Sequence, residues 1–354
     1  MDNLRIDSHK LIYHVERVAK WKNGDLIAPI YMEIAPSGGC NHRCIFCALD
    51  YIGYKPRFLD TGVLKTVIKD SAKYGVKSVM YAGEGEPLLH KDIVDIIGFT
   101  KHSGLDVSIT TNGVFLNGMV IKNCLKDLSW VRVSFNAGSP EAYQKIHRGR
   151  KGDFEKVISN LEQAVSFKKK NKLSCVIGAQ MLLIPENTGE VIKLARILKK
   201  IGVDYFTVKP FSKHPMSYCN IKKGFDYGKF AGLEKSLGKL AAKDFRIIFR
   251  SHTMEKLKEG RFYRHCLGLP FWAYISAEGD VYACSAYLGN KKFMYGNVYK
   301  NKFLDIMKGK RRQAILKMAA TELDTSKCRE VCRLDEINRY LWELKNPGPH
   351  VNFI

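Results

Sequence analysis

The chain has 354 residues, 45% of them hydrophobic, and its 58 basic side chains outnumber 35 acidic ones for a net charge of +23. That length supports a large buried core without staples, and ten cysteines behind a polar, charged start (MDNLRIDSHK) argue against a secretory signal and a disulfide framework, and for reduced thiols in a cytoplasmic setting. No apolar run reaches the ~20 residues that cross a bilayer, so no membrane span is expected.

The charge predicts attraction to anions, and an anionic small-molecule substrate is favoured over nucleic acid because the basic residues are not interleaved with stacking aromatics. The local concentrations, FKKKNK (167–172), GNKK (289–292) and KGKRRQ (308–313), read as solvated faces.

In chain order, a polar leader fills residues 1–27. Short apolar runs then follow one another: IYMEIA (30–35), SVMYAG (78–83), DVSITT (106–111), WVRVSF (130–135), CVIGAQMLL (175–183) and YFTVKPF (205–211). Between them lie amphipathic stretches such as DTGVLKTVIKDSAKYG and TGEVIKLARILKKIG, which end near a Gly or a basic turn. Strands alternating with helices imply parallel pairing and right-handed crossovers. The six units therefore predict an α/β fold, a partial (β/α)6 TIM-like barrel over residues 28–225, with reactive groups at the C-terminal strand ends. From residue 226 to 354 the rhythm changes to a smaller α+β module. It contains a hairpin, FWAYISAEGDVYAC, that turns at Glu278, Gly279 and Asp280, and a tail, NPGPHVNFI, whose Pro347 stops the last helix.

The first chemical motif follows the first predicted strand. In SGGCNHRCIFCALD, Cys40, Cys44 and Cys47 have the spacing C-x3-C-x2-C. A closed structural metal site takes four protein ligands, so this set leaves one coordination position for something else; zinc completed by a distant ligand such as His42 is the alternative. With Phe46 as the aromatic before the last cysteine, the loop resembles that of the radical S-adenosylmethionine superfamily. The resemblance implies a 4Fe–4S cluster with three irons held by Cys40, Cys44 and Cys47, and a fourth chelated by the amino and carboxylate groups of S-adenosylmethionine. It also implies a low-potential electron donor such as flavodoxin or ferredoxin. One electron then breaks a carbon–sulfur bond, giving methionine and a 5'-deoxyadenosyl radical that abstracts hydrogen from substrate.

After the second predicted strand, YAGEGEPLLH resembles the family's Gly-Gly-Glu-Pro segment, with Glu84 inserted between Gly83 and Gly85. The glycines allow close backbone approach, and Glu86, fixed by Pro87, is placed to pair with the cosubstrate ammonium. The resemblance also nominates polar residues at later strand ends for the cosubstrate: Thr111 and Asn112, Ser134 and Asn136, and Gln180. Asn136 stands where the family often has Asp. Lys209 lies near the end of the sixth strand, where it could face cosubstrate or substrate.

Four cysteines of the second module, Cys266, Cys284, Cys328 and Cys332, are separated by seventeen, forty-three and three residues. They resemble the shortened, twitch form of the SPASM extension, which implies one auxiliary 4Fe–4S cluster, although four thiolates also suit zinc. Of the remaining cysteines, Cys124 and Cys175 read as core, whereas Cys219 is a candidate hydrogen-atom donor at the barrel mouth.

The function expected is radical oxidation (dehydrogenation) of a sugar, cyclitol or nucleotide-linked metabolite, with the auxiliary cluster as electron acceptor. A radical epimerase using Cys219 is the close alternative. A peptide-modifying maturase is another, against which the leader of about thirty residues is short for a peptide-recognition domain. A non-catalytic iron-sulfur protein that binds RNA is the reading from a different class.

Overall fold

The computed structural model describes residues 4–221 and 225–353; the first three residues of the leader and Ile354 of the tail lie outside the described residues. All six anticipated strands form: β1 (Tyr31–Ile34), β2 (Ser78–Tyr81), β3 (Asp106–Thr111), β4 (Leu128–Ser134), β5 (Val176–Leu183) and β6 (Tyr205–Pro210). To these are added β7 (Arg246–Phe249), the hairpin strands β8 (Trp272–Ile275) and β9 (Asp280–Tyr282), and β10 (Met294–Asn297).

One ten-stranded sheet results, in the order β10-β9-β8-β1-β2-β3-β4-β5-β6-β7. Strands β1 to β7 pair in parallel, and so does β8 against β1; only the β8–β9 and β9–β10 pairs are antiparallel. The hairpin is therefore grafted onto the free edge of β1, in register from Tyr31↔Trp272 to Ile34↔Ile275. Every residue of β8 is buried, which suits a strand covered on both faces, and its pairing removes an exposed edge. The seventh parallel strand, RIIF, lies beyond the six expected units, within the stretch assigned to the smaller module: four residues carry little periodicity, and the open edge of β6 decides its pairing.

Helices α1 (Val15–Lys22), α2 (Thr61–Tyr74), α3 (Ile93–His102), α4 (Gly118–Cys124), α5 (Pro140–His147), α6 (Asp153–Lys170) and α7 (Val191–Ile201) accompany the parallel strands. They are followed by α8 (Ala231–Gly238), α9 (Ser251–Glu259), α10 (Phe303–Lys308), α11 (Lys310–Thr321) and α12 (Asp335–Lys345). Local chemistry sets the ends. Asp60 accepts the Val63 N–H to start α2, and Gly75, at φ +100°, stops it in a conformation that favours glycine. Helix α7 buries Val191, Leu194, Ala195 and Leu198, a stripe at helical spacing, against the sheet.

Two sequence readings need correction. The leader is not merely polar: α1 forms within it, and Leu11 and Val18 join Ile27, Phe271 and Leu341 in a small separate core that fastens the N-terminal region to α12. Nor is the run at 308–313 wholly solvated. Arg312 is 0% exposed and donates to the carbonyls of Met307 and Ile27, both at 2.9 Å, and of Pro270 at 3.3 Å. A guanidinium is buried there because three carbonyls from separate segments take its Nη1 and Nη2 donors, which a charge run by itself does not reveal.

Candidate active site

The loop after β1 carries the cysteine triplet and is tied to the end of α5. The N–H groups of Arg43 and Ile45 donate to the carbonyls of His147 (3.1 Å) and Ile146 (2.9 Å), and the N–H of Cys47 closes a turn on the carbonyl of Cys44 at 3.0 Å. Ser139 caps α5 and Pro140 opens it, so this helix delivers His147 to the loop in its last turn.

His147 is 0% exposed, and burial holds its imidazole well below the usual range, hence neutral. Its Nε2 accepts the backbone N–H of Asn136 at 3.1 Å, which assigns the ring proton to Nδ1. That Nδ1 lies 3.4 Å from Cys44 Sγ, so His147 donates to this sulfur. The N–H of His42 approaches Cys40 Sγ at 3.4 Å, and the side chain of Tyr54 hydrogen-bonds Cys47. Phe46 stands edge-on to His147 with ring centroids 5.6 Å apart.

All three cysteines are partly buried. Burial pushes the Cys40 thiol up to about 12 and lifts Cys44 and Cys47 above their ordinary value; repulsion adds to it, from Glu86 and then Cys47 on Cys40, from Cys47 and Cys40 on Cys44, and from Asp50 and Cys219 on Cys47. Three sulfurs that repel one another as thiolates suit a cationic centre placed among them. His42, Cys44 and His147 also bring ligand atoms within 4.8 Å of one another. A metal on that set would leave Cys40 and Cys47 unused, and His42 Nε2 is already engaged by Asp153 at 3.1 Å.

The loop after β2 locks onto the same place. A Cβ on Gly85 would stand 2.0 Å from the Gly39 carbonyl oxygen, and one on Gly83 would stand 2.5 Å from both Ala35 Cβ and Tyr274 Oη, so both positions require glycine for close approach. The Glu86 N–H donates to Gly39 O at 2.8 Å. Its carboxylate, 2% exposed, accepts from Thr111 Oγ1 (2.6 Å), the Asn112 N–H (2.8 Å) and the Leu88 N–H (3.1 Å), while burial pushes its pKa up to about 7. Asn112 Nδ2 reaches Asn41 Oδ1 at 2.7 Å, inside the cysteine loop.

Thus Phe46, Gly83, Gly85, Glu86, Thr111 and Asn112 converge on the triplet. Asn136 is spent differently. Its side chain donates to Ser134 Oγ (3.3 Å) and accepts the Leu182 N–H (2.7 Å), and its backbone N–H orients His147, which makes it a structural link between β4, β5 and α5. Ser134 and Gln180 face each other in register across β4 and β5.

The second cysteine group converges as well. Cys266, Cys284 and Cys332 are lifted by burial first and then by neighbouring cysteines, with Cys266 reaching about 12. Each of the four sulfurs has a hydrogen-bonding neighbour: Asn338 Nδ2 on Cys266 (3.5 Å), which the Gly268 backbone also serves, the Ala286 N–H on Cys284 (3.4 Å), Tyr287 OH beside Cys328 (3.3 Å) and the Leu334 N–H on Cys332 (3.3 Å). A four-thiolate set with every sulfur hydrogen-bonded fits a cluster.

A cavity of about 960 Å³ opens inside the curled sheet. Tyr31 of β1, Met80 of β2, Arg132 of β4, Gln180 of β5 and Lys209 of β6 line it, and it reaches Cys284, Cys328 and Cys332. Cys219 does not line it: this thiol is 7% exposed and close enough to Cys47 to raise that residue's pKa. The segment after β6 bridges the two cysteine groups, because Ser217 Oγ donates to Cys47 O at 3.0 Å while Ser212 O accepts from Arg329 Nη2 at 2.9 Å. Sequence reasoning passed over His147, Tyr54, Tyr287, Asn338, Arg132 and Arg329. Each is an ordinary helix, strand or loop residue whose significance is purely spatial.

A sheet of this topology with an open-ended cysteine triplet and a second, closed cysteine set defines a radical-generating iron-sulfur enzyme. Comparison with known proteins agrees. The radical SAM superfamily model matches residues 34–198, and an iron-sulfur cluster-binding domain, SPASM, matches residues 266–333. The chain belongs to the radical SAM superfamily and carries a C-terminal SPASM domain. Its cofactors are accordingly S-adenosylmethionine, the 4Fe–4S cluster that binds it, and an auxiliary cluster.

Among curated relatives, a probable GTP 3',8-cyclase of Methanocaldococcus jannaschii is 36% identical over 138 residues, covering 38% of this chain and 45% of that protein. The GTP 3',8-cyclase of Limosilactobacillus fermentum is 31% identical over 218 residues, covering 58% and 63%. The matched region thus spans about half the length of these relatives. In fold the chain is similar to Streptococcus suis SuiB bound to S-adenosylmethionine (TM-score 0.67, 18% identity, 96% of this chain and 80% of that one). It is also similar to anSMEcpe with bound AdoMet (TM-score 0.59, 19% identity, 90% and 95%). No helix among the described residues is long and apolar enough to cross a membrane.

Proposed function

We propose that the chain is a radical SAM oxidoreductase that removes hydrogen from an alcohol carbon of a small sugar, cyclitol or nucleotide-linked metabolite and passes the second electron to the auxiliary cluster. The observation that carries this reading is the cavity of about 960 Å³, which runs from inward-facing barrel residues to Cys284, Cys328 and Cys332. That volume is the size of a small-molecule site. A substrate lying there would be next to an electron acceptor.

In this proposal residues 28–225 form the radical barrel, residues 226–354 the auxiliary module, and residues 1–27 a leader. Cys40, Cys44 and Cys47 hold the cluster that binds S-adenosylmethionine, and Cys266, Cys284, Cys328 and Cys332 hold the auxiliary one. When bound, the first cluster and S-adenosylmethionine supply the one-electron chemistry that starts hydrogen abstraction. Glu86, oriented by Thr111 and Asn112, offers its remaining acceptor capacity to the cosubstrate ammonium, with Gly83 and Gly85 allowing the approach. Ser134 and Gln180 contact the cosubstrate on the far side, and Phe46 packs beside the cysteine loop. A low-potential flavodoxin or ferredoxin supplies the electron, which agrees with a cytosolic enzyme kept reduced.

The curated relatives are named for a reaction of GTP, which supports the nucleotide-linked member of this substrate class. The test is anaerobic reconstitution with iron and sulfide, followed by assay of deoxyadenosine against candidate metabolites. One deoxyadenosine per ketone formed supports dehydrogenation. Solvent deuterium at an inverted carbon, abolished by Cys219→Ala, would replace it with epimerisation; the buried Cys219 thiol near Cys47 is the feature that favours this second reading.

A further inference from the structure

Nine basic and acidic side chains around the cavity are already paired with one another. Arg250 is bound to Asp7 at 2.9 Å, Arg333 to Glu33, Lys256 to Glu336, Arg261 to Asp335 at 3.6 Å and Arg339 to Asp335 at 2.9 Å. Arg132, Lys209 and Arg329 are not. Arg132 donates to Tyr205 OH at 3.0 Å and Arg329 to the Ser212 carbonyl, both neutral partners. The Lys209 ammonium has no hydrogen bond or ion pair among the described residues, and the charges that act on it most strongly are Arg250, Arg329, Arg132 and Arg333, all positive.

Cations held without an ion-pair partner in a partly desolvated hollow repel one another, and each loses hydration; of the three, Arg329 is also drawn toward the Cys332 sulfur. A fold keeps such a group when something negative completes it. A second observation is of a different kind: Trp272 is 2% exposed, lines the same cavity, and its indole Nε1–H is buried without an acceptor. An orphaned donor beside unpaired cations asks for a ligand oxygen.

We propose that Arg132, Lys209 and Arg329 form the seat for an anionic group of the substrate, a phosphate or a carboxylate, and that Trp272 donates a hydrogen bond to the same ligand. The seat rests on the reading of this cavity as the substrate site, and gives that site its class: a small metabolite that carries an oxyanion. Arg132 and Arg329 supply planar forks suited to such oxygens, and Lys209 a point charge. The binding is reversible ion pairing and involves no bond making.

The full-length, anaerobically reconstituted enzyme is titrated by calorimetry with glucose 6-phosphate, glucuronate and, as the neutral control, glucose. Saturable binding of the phosphate or the carboxylate probe, absent for glucose, is expected, and the tighter of the two identifies the group. Lys209→Met, Arg132→Gln and Arg329→Gln should each weaken that binding about tenfold or more, the scale for losing a charge-assisted contact. Without ligand, Lys209→Met should melt higher than the wild type, because it deletes an uncompensated charge, and should no longer be stabilised by the anion.

The seat is refuted if neither anion binds saturably, if binding is indifferent to all three substitutions, or if Lys209→Met melts lower while anion affinity is unchanged. Deoxyadenosine release, measured in the same preparations without substrate, separates the two levels. Intact S-adenosylmethionine with anion binding preserved would remove the radical reading and leave the seat, whereas cleavage without anion binding would do the reverse.

Discussion

Cys40, Cys44 and Cys47 lie on one loop of eight residues, whereas Cys266, Cys284, Cys328 and Cys332 are gathered from a stretch of 67. The difference extends to what surrounds the sulfurs. In the distant group, Cys284 and Cys332 take their hydrogen bonds from backbone N–H groups two residues on, so the local turn supplies them. In the compact triplet, Cys40 does the same and Cys47 takes the Leu49 N–H besides the side chain of Tyr54, but Cys44 depends on His147, 103 residues away. Proximity in sequence therefore fixes which sulfurs meet, and not how they are aimed. The cavity sharpens the contrast, since it is lined by three cysteines of the distant group and by none of the triplet.

The largest expected effect separates the two groups by function. On the proposed assignment, Cys44→Ala lowers reconstituted iron from about eight to about four per chain and abolishes deoxyadenosine formation. Cys284→Ala costs the same iron but leaves deoxyadenosine formation in place while oxidised product disappears. Iron analysis and chromatography of both products decide the matter, and equal loss of deoxyadenosine in the two variants would erase the distinction.

Next in size is Gly85→Ala, whose added Cβ would fall 2.0 Å from the Gly39 carbonyl and force the two loops apart. It should destabilise the chain by about 1–3 kcal/mol and deplete the triplet cluster alone, a selectivity that electron paramagnetic resonance of the two clusters would show. A proportionate loss of both signals would mean general unfolding instead.

His147→Leu removes the hydrogen bond to Cys44 Sγ. A net hydrogen bond of about 0.5–1.5 kcal/mol corresponds to roughly 20–60 mV for a one-electron couple, and the triplet cluster's potential should fall by that amount while the auxiliary one stays put. Redox titration reads both in one sample; an unchanged triplet potential would reduce His147 to packing.

The smallest effect is a pH dependence. Burial pushes Glu84 up from 4.5 to about 7, so its proton is held more tightly in the folded state. The stability from that proton is complete below about pH 4.5 and is lost as pH rises through about 7, so the melting temperature should fall across that window. Glu84→Gln should flatten this slope, and an identical slope in wild type and variant would count against the assignment.

The C-x3-C-x2-C spacing, the alternation of apolar and amphipathic runs and the glycines of GEGEP were legible because each is a local constraint: ligand spacing, side-chain periodicity and backbone clearance act over a few residues. Short strands show where that stops. RIIF and MYGN hold only four residues each, and the edges of β6 and β9 decide where they pair, while the hairpin of WAYI and DVY was legible but not its docking on the free edge of β1. The basic composition announced an attraction to anions, yet gave no place for it.

By itself, then, the sequence determined the order of the elements, the cysteines that could ligate and the strand ends where chemistry would sit, since all of these follow from nearest-neighbour geometry. Only the tertiary structure decided that His147 faces Cys44, that Arg312 is buried while its neighbours are solvated, and that Arg132, Lys209 and Arg329 share one hollow with no ion-pair partner among the described residues. Those facts depend on which side chains lose water together. Desolvation is a property of the closed fold, and the linear chain carries no local mark of it.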